Sequence, residues 1–510
     1  MRIRFSHVRS RDGRAAGRRR AGDEDNVTAG IAVDPVAGMC SPAGIAGGAL
    51  IRYTSRINRN IDLGAMMRAA DYRSVADAIA ADIAAGRLRP GARLPPQRDF
   101  AYARGIAVST ASRVYAELAR RGLVTGEVGR GTYVRSDPGQ AGLLRPEPPA
   151  AALDLQRTHS RLPEQEAVLS ETLAALARSG AEIGFSQYGP AGTPRAQAVA
   201  AGFLAREGYA PDPADILFTG NGRQALAAAL AALAAPGERI GCEPLTYPGV
   251  KGIAARLGIT LIPLAMDAEG VCPEALLQAH RATPLSGVYL QPTLHNPLGA
   301  TMGPARRAAL AEVLDRTGLI AIEDAVYSFL AEAPPLAGLV PHRVIFVDSL
   351  SKRVMPALTV GLIAAPPALT DRLAASVRQG AWTVLGLSLA AGMHWMAGGS
   401  AAALAEAKRH DAAARQALAR AALADLRVVG DPQAYHLWLE LPETWRAEAY
   451  AAAALRQGIA LLPASAFAVH PGHAPNAVRL ALASPSRADL DGALRSLRRL
   501  AFAGDDQVVE

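Results

Sequence analysis

The chain has 510 residues, of which 50% are hydrophobic and 20% charged, which excludes a disordered or fibrous chain and fits about three globular domains of roughly 150 residues each. No apolar run reaches the roughly 18 residues of a membrane span, and no apolar core of signal-peptide type backs the arginine-rich opening, so a cytoplasmic protein without a membrane partner is expected. A net charge of +8 and a pI near 9.6 permit a polyanionic partner without identifying one, because much of the excess arginine lies at the very start. Cys40, Cys242 and Cys272 show neither metal spacing nor a pairing pattern, as in a reducing compartment.

Residues 1–68 mix Arg, Gly, Ala and Asp without periodicity. They are expected to be a disordered extension, or to precede a true start at Met39, Met66 or Met67. Residues 69–136 read as a small domain: an amphipathic helix over 75–85 ended by Gly86, a short helix over 97–104, a turn at Gly105, a second helix over 108–120 and a hairpin over 123–134. That order predicts a winged helix-turn-helix with double-stranded DNA as partner. Ser109, Thr110, Ser112 and Arg113 on the second helix suit phosphates and base edges, and Arg130 stands in the wing between two glycines that let backbone approach closely. Taken singly, each reads equally well as a solvated residue.

The stretch Gly86-x-Leu88-x-Pro90-Gly91-x-Arg93-Leu94-Pro95-x-Gln97-Arg98, closed by Gly129-Arg130-Gly131-Thr132-Tyr133-Val134, resembles the DNA-binding domain of the GntR family over its whole length. The resemblance implies that Arg98 and the polar residues opening the recognition helix contact an operator. Ala107 and Val108 stand where that family has Ser-Arg, so one base-reading arginine is expected to be missing.

Ser136-Asp137-Pro138-Gly139 opens a Pro, Gly and Ala-rich linker, assigned to 137–154. From 155 to 505, apolar strand-like runs at 216–219, 287–291, 319–323 and 344–347 alternate with Ala/Leu-rich helical stretches. This predicts an α/β domain with a large, mostly parallel sheet and a smaller C-terminal α/β subdomain, its ligands at the carboxyl ends of the strands. Thr219-Gly220-Asn221-Gly222-Arg223-Gln224 follows a strand and opens a helix, so the amides at Gly222, Arg223 and Gln224 point where a phosphate is stabilised. Lys352 follows the run at 344–347, and Asp324 ends the run before it. An aldehyde cofactor needs a lysine to hold it covalently and a carboxylate to keep its pyridine nitrogen protonated, so these two residues suggest pyridoxal 5'-phosphate (PLP).

Together with Glu243-Pro244-Leu245-Thr246-Tyr247, the loop Gln291-Pro292-Thr293-Leu294-His295-Asn296-Pro297-Leu298-Gly299 and the strand around Arg479, these motifs resemble fold-type I aminotransferases. A GntR domain ahead of such a domain is the arrangement of MocR-type regulators. The resemblance implies Tyr247 against the cofactor ring, Asn296 and Tyr327 on its phenolate oxygen, Ser349 on its phosphate, Arg479 on an amino acid carboxylate and Ser186 to Gly192 as a substrate-side loop. His295 is expected to be a plain polar loop residue. Thr359 replaces the arginine that in this family pairs with the phosphate, leaving Arg223 or Arg353 to supply the charge. The expected function is a PLP-dependent, DNA-binding transcriptional regulator, a homodimer that senses PLP or an amino compound. The alternatives are a working aminotransferase with a DNA-binding appendage and a relic fold that binds no cofactor.

Overall fold

A computed structural model describes residues 72–84, 87–88, 92–120, 123–127, 131–134, 153–178, 188–331, 333–470 and 474–503. The expected extension, most of the linker and the wing tip with Arg130 lie outside these residues. In the N-terminal part, α1 (Tyr72–Ala84), β1 (Arg93–Leu94), α2 (Gln97–Arg104), α3 (Val108–Arg120), β2 (Val124–Glu127) and β3 (Gly131–Val134) follow one another. The second and third helices have the expected bounds, and the first begins three residues before the expected Val75. On α3, Ala111, Val114, Tyr115 and Leu118 are buried, the helical spacing that turns one stripe to the core. Gly105, at φ 62°, closes α2 in the left-handed conformation that a turn between two helices needs. Tyr115 then ties the turn before α2 to α3, donating to the Pro95 carbonyl at 2.5 Å and meeting the Phe100 ring edge-on. The antiparallel order β1-β3-β2 completes a winged helix-turn-helix.

The larger part is built on a seven-stranded sheet of β4 (Ile216–Thr219), β5 (Arg239–Cys242), β6 (Thr260–Pro263), β7 (Gly287–Leu290), β8 (Ala321–Asp324), β9 (Val344–Ser349) and β10 (Gly361–Ala364), in the order β4-β10-β9-β8-β7-β5-β6. All neighbours pair in parallel except β10, which runs against both of its neighbours. Two such reversals leave β4 pointing the same way as β9, so six strands end on one side. The five strands β4 and β7 to β10 are buried throughout, with apolar clusters on both faces, as a helix-covered parallel sheet requires. Compared with the expected runs, β8 is shifted toward its carboxyl end and β9 is extended to Ser349. A smaller antiparallel sheet of β11 (Val428–Val429), β12 (His436–Glu440), β13 (Leu462–Pro463) and β14 (Ala477–Ala481), in the order β11-β12-β14-β13, has its own apolar core.

Candidate functional site

Sheet direction decides where the expected site residues meet. Asp324 is the last residue of β8, and Ser349 is the last of β9 and caps the four-residue helix α4 (Leu350–Arg353) that carries Lys352. After β4, Asn221 caps α5 (Gly222–Leu233), its side chain accepting from the Gln224 amide at 3.0 Å. Asn296 arrives from the loop after β7, and Arg479 from the smaller sheet. All of them line one cavity of about 620 Å³ at the carboxyl ends of the strands.

At one end of this cavity the polar groups are mutually bonded. Lys352 Nζ donates to Thr158 Oγ1 at 2.9 Å, and that hydroxyl lies 2.6 Å from the Tyr327 hydroxyl. His159 Nδ1 stands 3.4 Å from the same amine, and burial together with the Lys352 charge drives this imidazole down to about 3, leaving it neutral. Burial holds the lysine itself at about 7, helped by the charges of Arg479, Lys408 and Arg223 and opposed by Asp324. Asp324 is pushed up to about 6 by burial, although Tyr289 donates to it at 2.7 Å. Tyr327 is pushed up to about 12 by burial, so its hydroxyl keeps its proton. Arg479 is buried against the Phe467 ring; its guanidinium donates to Asn296 Oδ1 at 3.0 Å and to the Gln156 carbonyl, and its Nε has no partner. Among the described residues no carboxylate lies within ion-pair distance of it.

The other end is built differently. The hydroxyls of Ser349 and Ser351 lie 2.9 Å apart, and Thr359 closes a trio with them. Beside them are the first two amides of α5, at Gly222 and Arg223, which have no partner within a helix. Any side chain at Gly222 would meet Ser349 Cβ at 3.0 Å, so backbone alone fits there. Two residues named from the sequence are engaged otherwise. The Gln224 amide donates to the Asn221 cap, while the residue itself lines the cavity. Arg353 turns out of the cavity: it pairs with buried Asp348 at 2.5 Å and stacks between Phe203 and Phe329. The cation at this end is Arg223, an exposed side chain held by the Tyr247 hydroxyl at 3.3 Å. The residues therefore fit a pyridine aldehyde phosphate closely at the amine and ring ends, and at the phosphate end through hydroxyls, two amides and one arginine.

Elsewhere, Arg98, Ser109, Ser112 and Arg113 are exposed and Thr110 is half-buried, as a DNA-facing surface needs. His295, expected as a plain polar loop residue, is buried and accepts from the Leu298 amide, packing the loop from inside. Ser186 and Gln187 lie outside the described residues. The sequence reading missed Thr158, His159 and Tyr289. The first two sit in a short segment with no motif of its own, and Tyr289 is one apolar-looking position on a buried strand.

Residues 153–497 match the aminotransferase class I and II family, and residues 71–134 match the gntR family of bacterial regulatory proteins. The chain belongs to both families, joined in the MocR-type arrangement. It is 30% identical to the uncharacterized HTH-type transcriptional regulator YdeF of Bacillus subtilis, over 84% of this chain and 94% of that protein. The vitamin B6 salvage pathway transcriptional repressor PtsJ of Salmonella typhimurium is 28% identical over 58% of this chain and 68% of its own length. Among solved structures, the α-aminoadipate aminotransferase LysN of Thermus thermophilus, complexed with N-(5'-phosphopyridoxyl)-L-leucine, superposes on the MocR-type chain with a TM-score of 0.63 at 22% identity, covering 69% of this chain and 92% of that one. At that identity the likeness is one of fold. Among the described residues no helix is long and apolar enough to cross a membrane.

Proposed function

We propose that this MocR-type chain is a cytoplasmic, homodimeric transcriptional regulator whose aminotransferase-like domain holds PLP on Lys352 and reads a small amino compound with a carboxylate. One observation carries the reading: Arg479 is 4% exposed, has among the described residues neither a partner for its Nε nor a carboxylate, and lines the same cavity as Lys352. A buried guanidinium without a counter-ion is costly, and the carboxylate of a ligand offsets that cost through a paired, charge-assisted contact. When bound, PLP supplies an electron-withdrawing ring. Asp324 holds a proton at the ring nitrogen, Asn296 and Tyr327 donate toward the phenolate oxygen, Tyr247 covers the ring, and Ser349 with the Gly222 and Arg223 amides holds the phosphate. The winged helix supplies Arg98, Ser109, Thr110, Ser112, Arg113 and Arg130 to DNA, and ligand binding shifts the balance between DNA-binding arrangements through differential affinity.

The test joins both halves. Purified protein should show a visible absorption band that borohydride fixes at Lys352, and full-length protein should retain an operator fragment that residues 136–510 do not. A colourless protein, or equal DNA affinity for the shorter chain, would sink the reading. A working aminotransferase is the second reading, favoured by the joint presence of Lys352, Asp324 and Arg479 in one cavity. Steady-state transfer between amino acids and keto acids separates it from a regulator that only binds.

A further inference from the structure

Three lysines occur in the whole sequence, Lys251, Lys352 and Lys408, among 54 basic residues. None is exposed. Arginine supplies the other 51 basic residues, so each lysine departs from the chain's usual choice of cation. Lys352 faces the cavity, and Lys251 donates to the carbonyls of Ala466 and Ala468. Lys408 does not line that cavity. It lies on the long helix α6 (Ser400–Ala422), is 1% exposed, and its Nζ donates to the main-chain carbonyls of Lys352 and Val354, both at 2.9 Å. Among the described residues no carboxylate lies within ion-pair distance of it. Asp411, one turn further along, is occupied by Arg415 at 2.7 Å, Tyr435 at 3.0 Å and Arg487 at 3.0 Å.

A lysine is rarely buried unless its donors are met. Here two of them meet carbonyls at the end of α4, where a helix leaves acceptors without partners and favours a cation. We propose that Lys408 is a positioning residue for Lys352: it pins the main chain of the turn that carries the reactive lysine and sets a second positive charge behind the reactive amine. The groups facing that amine are Arg479, Arg223, Asp324, His159 and Tyr327, and Asp411 is the charge nearest Lys408 in effect. Burial brings Lys408, like Lys352, down to about 7. The charge on Lys408 is one of those that lower Lys352, so a proton on Lys408 disfavours one on the reactive amine. Through α6, which packs on the helix Arg487–Ala503, the hold on Lys352 is continuous with the smaller subdomain.

The proposal rests on Lys352 being the reactive lysine, and its test uses cofactor-free, full-length protein so that it and the PLP reading can fail separately. Acetic anhydride labelling across pH, followed by mass spectrometry, assigns each lysine without ambiguity in a chain with three. Lys408→Met should move the Lys352 labelling midpoint upward, slowing its labelling at neutral pH about three- to tenfold, since one unit is tenfold. Lys251→Met removes another carbonyl-holding lysine and should leave that midpoint where it is. An unmoved midpoint in folded Lys408→Met, or equal slowing in both variants, overturns the proposal. Should Lys408→Met fail to fold, Lys408→Gln keeps donors without the charge, and the same upward shift or its absence decides. A shifted midpoint in a protein that forms no visible band with PLP leaves Lys408 in its role and removes the cofactor reading alone.

Discussion

At the amine end of the cavity, Thr158, Tyr327, Asn296 and Arg479 are buried, with Thr158 bonded to Lys352 at 2.9 Å and to Tyr327 at 2.6 Å and Arg479 bonded to Asn296 at 3.0 Å, whereas the cation at the phosphate end is the exposed Arg223, tied to one tyrosine hydroxyl. Buried, mutually bonded groups leave an unmet partner behind when one is removed, and the loss is large. An exposed arginine is screened by water, so its loss is graded. On the proposed reading, this contrast predicts a site that positions its reacting groups firmly and would hold the PLP phosphate by a weaker, tunable contact.

The comparison breaks first at Lys352. Lys352→Ala should abolish the visible band and the borohydride-fixed label while melting stays cooperative; a label that persists on another lysine would overturn the amine end as described. Arg223→Ala should raise the dissociation constant for PLP by about 10- to 100-fold, for a contact worth on the order of 1.5–3 kcal/mol, while Arg353→Ala should barely change it. Equal losses in titrations of the two variants would show that Arg353 leaves Asp348 when the phosphate binds.

A pH experiment sharpens the same contrast. Burial depresses Lys352 from 10.5 to about 7 in the folded chain. The unfolded chain therefore takes up a proton first, and cofactor-free stability is lost as pH falls from about 10.5 toward 7. Lys352→Met escapes that loss and should be more stable than the parent at pH 7, by on the order of 1–3 kcal/mol after discounting for a side chain that still reaches the cavity, with the gap closing above pH 10 in denaturant melts. A gap independent of pH would assign the effect to packing. The smallest expected effect lies in the winged helix, where Arg98→Ala should reduce the salt slope of operator binding by about 1 if its contact is a phosphate.

Much of this architecture was legible because its signals are local. The helices at Gln97–Arg104 and Val108–Arg120 and the strand at Ile216–Thr219 have the bounds that periodicity and flanking turns predict. Asp324, Lys352, Asn296 and Arg479 were legible as motifs, and the sheet brings them to one cavity. The direction of Arg353 was not legible, because nothing beside it in the chain says that its charge goes to Asp348 and its face to two phenylalanines.

Sequence by itself determined the two modules, their order, the strands that end at the site and the lysine and carboxylate that meet there, since each follows from hydrophobic period, turn chemistry and residue type over short spans. Only the tertiary structure decided that Thr158 and His159, far away in sequence, flank Lys352, that Arg479 is buried without a counter-ion among the described residues, and that Lys408 grips the turn from behind. Those facts depend on which distant segments share a low-dielectric interior, and burial there sets both the cost of a charge and the partner that must meet it.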